Sequence, residues 1–353
     1  MSLAAFANQS FADRYRCGGR KRTVSVMRIL SIDGGGIRGV IPATILAEIE
    51  RRSGRAIADS FDLIAGTSSG GILACALALP DPQHPAKSRY SAADLASTYA
   101  TYGPQIFHRD LLRTIITVDG IFEERYSDHG LKEVLLNYFG DAVLSDCRTD
   151  VLVTGYALQR RCAFFFRSAR AQTDLSYDYA LTDVARATSA APTYFEPAEV
   201  TDRANAQSYG LIDGGVFANN PAMCAISEAK AAGEQIDLML SMGTGAQNRP
   251  ISVRQARDWG KLQWATRIID VVFDGVSETV DYQAQQLVTD RFTRFQAELI
   301  GASDALDDAS EANIASLRAV ANKLISEKSA DIDRIAQILA IDEHRDPSKS
   351  KVG

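Results

Sequence analysis

Short apolar runs alternate with segments of helical period along most of this chain. Met27–Ile32 (MRILSI) reads as a buried strand and runs into the glycine-rich stretch Asp33–Gly39. A helix is predicted next, with Val40, Ile41, Ile45, Leu46 and Ile49 at helical spacing, Pro42 in its first turn and Gly54 as its stop. Phe61–Ala65 is a second strand, and a helix-like run of small and apolar residues from Ile72 to Leu79 follows closely. Residues 80–88, with three prolines and His84, form a surface loop. Ser91 opens a helix through Tyr99, with Asp94 three residues on as its capping partner. Residues 103–125 show no regular pattern, and Ser127–Phe139 is an amphipathic helix ending at Gly140.

Further on, Val151–Leu158 and Cys162–Arg167 are strand-like runs able to pair as a hairpin, and Thr182–Ala190 is a short helix stopped by Pro192. Tyr209–Ile212 is a short strand entering Asp213-Gly214-Gly215. Asn220-Pro221 opens a helix to Ala232, and Ile236–Met242 is another strand. Beyond 253 the pattern is mostly helical, with two helices rich in Ala, Asp and Glu over 303–341 and a polar tail over 343–353. Strands alternating with helices predict an α/β fold: a three-layer α/β/α sandwich with a mostly parallel central sheet and a helical C-terminal extension. No internal repeat and no linker divides it. The expected organisation is a basic, disordered leader over 1–25, one domain over 26–300 and the helical extension over 301–353, packed on the same domain.

Composition narrows the class. With 353 residues, 46% hydrophobic and 23% charged, the chain can bury a sizeable core. A net charge of −6 and a pI near 5.4 give no global field for a nucleic acid polymer. The five cysteines (Cys17, Cys75, Cys147, Cys162, Cys224) are scattered without C-x-x-C spacing, which argues for reduced thiols in a cytosolic setting and against a zinc site or a disulfide framework. No apolar run approaches the roughly 18 residues a membrane span needs, and the N-terminus has no signal-peptide pattern. Any membrane contact is therefore expected to be peripheral, at the inner surface. Arg14, Arg16, Arg20, Lys21 and Arg22 in the leader suit anionic headgroups, at about 1 kcal/mol each.

Three stretches carry chemistry. Gly66-Thr67-Ser68-Ser69-Gly70 has the form G-x-S-x-G between a strand and a helix, the setting of a nucleophile elbow. A turn this tight brings backbone against backbone, so Gly66 and Gly70 have a steric reason. It leaves Ser68 strained and exposed, with helix N–H groups pointing at any developing anion. A Gly/Ser-rich turn that merely links two elements is the alternative. Asp33-Gly34-Gly35-Gly36-Ile37-Arg38-Gly39 contains G-x-G-x-x-G over Gly34–Gly39, which opens a dinucleotide-binding reading. That reading expects an acid at the end of the second strand, about 20 residues on. Asp59 has the offset but precedes the strand, and the serine turn stands where the acid belongs. The other reading is an oxyanion hole, in which Gly34, Gly35 and Gly36 turn their N–H groups toward one point; losing one such donor typically removes ~3 kcal/mol of transition-state stabilisation. Arg38 would orient that loop or meet an anionic headgroup. Asp213-Gly214-Gly215, at a strand end, is either a turn former or the site of an acid or base.

A serine nucleophile needs a base. The four histidines, His84, His108, His129 and His344, stand in no motif, and only His344 follows Asp213 as a Ser–acid–His order requires. That leaves Asp213 to take the serine's proton directly.

The three motifs together, with LSIDGGGIRGVIPATIL and FDLIAGTSSGGILA around them, resemble the patatin-like phospholipase family, which carries D-G-G-G-x-R/K-G, G-x-S-x-G and D-G-G/A in this order. The resemblance runs over about 27–300. It implies a Ser68–Asp213 dyad, an oxyanion hole at Gly34–Gly36, no metal or other cofactor, and hydrolysis of fatty acyl esters of phospholipids. A solitary domain of this kind with a helical extension is also similar to bacterial anti-phage effector phospholipases switched on by cyclic oligonucleotides. On that similarity, Arg109, Arg113, Glu123, Glu124 and Arg125 in the irregular stretch would form a lid or a loop for a cyclic dinucleotide; an ordinary surface loop on a constitutive lipase is the alternative. A catalytically silent scaffold and a nicotinamide oxidoreductase are the readings from other classes.

Overall fold

The computed structural model describes residues 26–106, 128–246 and 251–341. Among these the chain forms β1 (Val26–Ile32), α1 (Val40–Ser53), α2 (Ile57–Ser60), β2 (Leu63–Gly66), α3 (Ser69–Ala78), α4 (Ala92–Ile106) and α5 (Asp128–Phe139). There follow β3 (Asp150–Ala157), β4 (Cys162–Arg167), α6 (Ser168–Ala171), α7 (Leu181–Thr188), β5 (Ala198–Thr201), β6 (Ser208–Asp213), α8 (Gly215–Ala218) and α9 (Ala222–Ala232). The last part comprises β7 (Gln235–Met242), α10 (Val253–Arg257), α11 (Lys261–Val288), β8 (Phe292–Phe295), α12 (Glu311–Glu327) and α13 (Ser329–Ala340).

The strands make one mixed sheet in the order β5-β6-β3-β2-β1-β7-β8, with β4 paired to β3 off that path. Neighbours from β3 through β8 run parallel, whereas β4, β5 and β6 enter antiparallel. Alternation along β1 sets the layers: Leu30 and Ile32 belong to one apolar cluster with α1, α3 and α4, and Ile29 belongs to a second cluster with α9 and α11. The predicted α/β sandwich with a mostly parallel sheet is therefore the observed architecture.

α3 shows no polar stripe because it has no solvent face; all its residues but Ile72 are buried, and its small side chains let strands and helices close around it. α12 and α13 pack on α1 and supply Leu317, Ile332, Ile335 and Leu339 to the main core. The cap expected at Ser91 is present, with the Asp94 carboxylate accepting from both the Ser91 N–H and hydroxyl. The helix it opens continues past Tyr99 to Ile106, through Pro104. β5 and β8, four residues each, were not legible as strands. The basic leader, the polar tail and most of the irregular stretch, with Arg109, Arg113, Glu123, Glu124 and Arg125, lie outside the described residues. The four described cysteines are free.

One feature of the register positions the site. β3 offers the same edge to two strands: Asp150–Val153 pair with β2, and Gly155–Ala157 pair with β6. Since β6 runs against β2, their carboxyl ends meet head to head across Thr154. Gly66 lies opposite Val153 and Asp213 opposite Gly155, so the two strand ends are separated along β3 by about 7 Å.

Candidate active site

Residues just beyond those two strand ends form the site. Ser68 has φ 54° and ψ −126°, a region that a residue bearing a Cβ enters only when its surroundings force it. Its surroundings do so. A Cβ on Gly66 would collide with the backbone of Gly70 and Gly71, and one on Gly70 would strike the carbonyls of Ile32 and Asp33. The Ser68 N–H donates to Thr188 Oγ1 at 2.9 Å. Thr67 Oγ1 is held between Thr154 Oγ1 (2.7 Å) and the Ala218 carbonyl (2.6 Å), which ties the turn to β3 and α8. α3 begins at the next residue and aims its N-terminus at the serine.

Asp213 ends β6 and is 1% exposed. Its N–H donates to the Ala190 carbonyl (3.0 Å), and its Oδ1 accepts the Gly215 N–H at 2.7 Å. Oδ2 is buried with no hydrogen bond of regular geometry. Burial pushes the carboxyl up from the ordinary 3.8 to about 7, against the pull of the nearby Ser68 hydroxyl and the Gly215 N–H, both of which favour the charged form. Gly214 caps α8 and Gly215 is its first residue; a Cβ on Gly214 would strike Thr154, and one on Gly215 would press on the Phe273 ring.

The glycine loop closes the third side. Gly35 and Gly36 line a cavity of about 130 Å³ together with Ser68 and Asp213. Apart from that end, the cavity is almost wholly apolar: Ile72, Leu73 and Ala76 from α3, Leu95 and Tyr99 from α4, Leu131 and Leu135 from α5, and Phe273 and Leu306. Gly36 has φ 54°, and a Cβ there would strike the Leu306 carbonyl, which also accepts the Ile37 N–H (2.9 Å). The C-terminal segment thus shapes the loop.

Two expectations need correction. The Gly34 N–H donates to the Asn219 carbonyl at 2.9 Å, so it is already used as a structural bond and is not turned into the cavity. Arg38 is buried outside the cavity lining, with Nη1 donating to the Asp304 carbonyl at 3.4 Å, so it is neither part of an oxyanion hole there nor open to a headgroup. Of the histidines, the His129 side chain lies outside what the structure describes, and His84 is not in the cavity lining. His84 lies in its surface loop beside Asp81, and His108 and His344 fall outside the described residues. Asp59 sits away from the glycine loop, paired with Arg148 at 2.7 Å.

Beneath the loop lies a polar network that motif reasoning missed. Arg294 of β8 grips Asp33 with both guanidinium nitrogens, Nη1–Oδ1 at 3.0 Å and Nη2–Oδ2 at 2.6 Å. It also donates to Ser241 Oγ (2.9 Å) and lies 2.9 Å from Asp281 of α11. Burial still lifts Asp33 to about 6 despite the arginine. Thr188, Asn219 and Phe273 were missed as well. None stands in a pattern with the motifs, since their contacts are made across 50 residues or more.

A strained serine at a strand–helix turn, a buried carboxylate beside it and an apolar cavity opening from both belong to an α/β carboxylic ester hydrolase. Comparison with known proteins gives the family. The family model for patatin-like phospholipases matches residues 30–226, and this chain belongs to that family. Patatin-like protein 2 of Arabidopsis thaliana is 34% identical over 292 residues, 73% of this chain and 71% of that protein. Patatin-2-Kuras 3 of Solanum tuberosum is 30% identical over 334 residues, covering 85% and 84%. Patatin-like protein 4 of Arabidopsis thaliana is 28% identical over 337 residues, again 85% and 84%. Among solved structures, VipD from Legionella pneumophila is similar at 12% identity and a TM-score of 0.37, over 89% of this chain and 72% of that one. Family membership makes the chain a lipid acyl hydrolase.

Proposed function

We propose that the chain cleaves fatty acyl esters of membrane phospholipids through a dyad of Ser68 and Asp213. The observation that carries this reading is the pairing of a φ-strained Ser68 with a buried Asp213 whose carboxyl is lifted to about 7, at the mouth of an apolar cavity. A carboxylate at its ordinary pKa is too weak a base for a serine hydroxyl near neutral pH; one raised to about 7 is matched to the task. The apolar walls suit an acyl chain and offer a charged headgroup little.

In the acylation step, Ser68 Oγ attacks the ester carbonyl carbon while its proton passes to Asp213 Oδ2, the oxygen that Gly215 does not hold. The developing oxyanion meets the N–H groups of Gly35 and Gly36, with the α3 N-terminus behind. Collapse of the tetrahedral intermediate breaks the bond to the lysolipid alkoxide, which takes the proton back from Asp213. Asp213 then accepts a proton from water, whose oxygen attacks the acyl-serine; the fatty acid leaves and Ser68 recovers its proton. Every proton borrowed is returned, and no outside oxidant or metal is called on in this scheme.

The test is lipid-product mass spectrometry after incubation with mixed phospholipids, wild type beside Ser68→Ala. Free fatty acid and lysophospholipid from wild type alone support the reading, whereas equal release by the alanine variant overturns it.

A further inference from the structure

We propose that the outer face of α10 and the N-terminal half of α11 is a docking surface for a lipid bilayer bearing anionic headgroups. The proposal rests on the reading that the substrate is a membrane lipid, and it adds where that membrane sits. Trp264, Ile268, Val271 and Val272 are 38%, 44%, 39% and 37% exposed. Their spacing is i, i+4, i+7, i+8, which at about 100° per residue places all four on one face of the helix. The residues that hold α11 to the body, Phe273, Ser277, Ala284 and Val288, lie roughly opposite. The apolar stripe therefore points away from the protein, and none of the described elements covers it.

The stripe is not an isolated surface hydrophobe. Of the thirteen large hydrophobic side chains exposed among the described residues, six lie between Ile251 and Val272, including Ile251 at 45% and Val253 at 69%. Scattered exposed apolar residues are ordinary, but a concentration of this kind marks a surface that meets something. Its chemistry favours a bilayer. The two tryptophans of the chain, Trp259 and Trp264, stack edge to face here with ring centres 5.1 Å apart, and indoles partition to the headgroup level of membranes. Arg254 and Arg257 are exposed on the short helix just before. In a chain whose net charge is −6, these two exposed arginines beside the apolar stripe complement anionic lipid. It also adjoins the site: Phe273, next after Val272, crosses to the other side of the helix, where it lines the cavity with Ser68 and Asp213. A bilayer seated on the outer face lies about one helix diameter, some 10 Å, from that cavity wall.

The experiment uses the full chain carrying Ser68→Ala, which leaves vesicles intact, with phosphatidylcholine vesicles made with and without phosphatidylglycerol. Because both tryptophans lie in the patch, their fluorescence reports docking without altering it. The expected result is a blue shift and quenching by brominated lipid on the anionic vesicles, weakened by salt. Vesicle co-sedimentation is expected to fall about tenfold on combining Trp264→Ser, Ile268→Ser and Val272→Ser, and on anionic vesicles alone for Arg254→Gln with Arg257→Gln. Unchanged tryptophan emission with anionic vesicles overturns the proposal, as does equal sedimentation of the triple variant. A wild-type dimer that the triple variant converts to monomer, with no vesicle binding by either, also overturns it and makes the face a contact between copies. Hydrolysis of a soluble short-chain ester by the protein with Ser68 restored separates the two claims. If wild type fails on that ester, the site reading fails; if it succeeds while emission stays unchanged, only the docking face is wrong.

Discussion

Ser68 and Asp213 do their proposed work because each is held where it is unfavourable for it to be. Ser68 pays backbone strain that the glycines on either side make sterically possible, and G-x-S-x-G in a strand–helix context was enough to read this from the sequence. Asp213 carries an electrostatic penalty that no motif reveals, since it depends on what buries the carboxyl after the chain has folded. The sign of that penalty gives a stability test. The folded-state value, about 7, lies above the ordinary 3.8, so between them the folded chain keeps a proton that the unfolded chain has lost. Stability from this group is full below about 4 and declines as pH rises toward 7. Asp213→Asn removes the decline while preserving the Gly215 contact. It is expected to raise the melting temperature at pH 8, by up to about 4 kcal/mol of stability, with the gain shrinking toward pH 4, while turnover is lost. A variant that melts lower than wild type at pH 8 would contradict the buried-acid account. Gly36 makes the complementary case: at φ 54° against the Leu306 carbonyl, Gly36→Ala is expected to lower kcat for ester hydrolysis about a hundredfold by shifting the proposed oxyanion donor, readable in steady-state kinetics.

At the level of elements, the head-to-head meeting of β2 and β6 on one edge of β3 is what brings residue 68 to residue 213. The strands themselves were legible. Their relation was not: Asp213 was expected at the carboxyl end of a strand in a largely parallel sheet, and it reaches that point from the opposite direction, on an antiparallel strand. Pairing partners of a six-residue strand are decided by long-range packing, not by its own pattern. β8 illustrates the same limit. Its four residues carry no usable periodicity, yet Arg294 within it supplies the bidentate clamp on Asp33 at the root of the glycine loop. Arg294→Met is expected to lower stability by about 3–5 kcal/mol by leaving a buried carboxylate unpaired, and adding Asp33→Asn is expected to recover part of the loss. Chemical denaturation of the two variants checks it; a single variant as stable as wild type would mean that the clamp holds nothing.

For the whole molecule, one apolar core spans the motif-bearing region and the C-terminal helices. The helices of 303–341 were visible as helices, but their sequence gave no sign that Leu306 reaches the active cavity or that α12 and α13 cover α1. Removing residues 311–353 would expose the face of α1 that these helices bury. The truncated chain is therefore expected to be insoluble or to lose cooperative unfolding and esterase activity together, as measured by circular dichroism and ester hydrolysis. Full activity in a soluble truncation would show the extension to be dispensable. Thr188, Asn219 and Phe273 became visible only in three dimensions for the same reason: each acts on the site from a separate element.

The most direct test of the Ser68–Asp213 account is the pH dependence of fluorophosphonate labelling, with the adduct mapped by peptide mass spectrometry in wild type and in Asp213→Asn. The nucleophile must be Ser68 and its activator must ionise near 7, so the expected result is an adduct on Ser68 whose rate of formation rises with pH to a plateau with an apparent pKa of about 7, and labelling that is slow and without that transition in the asparagine variant. An adduct on Ser69, or wild-type labelling that proceeds unchanged after Asp213→Asn, would contradict it.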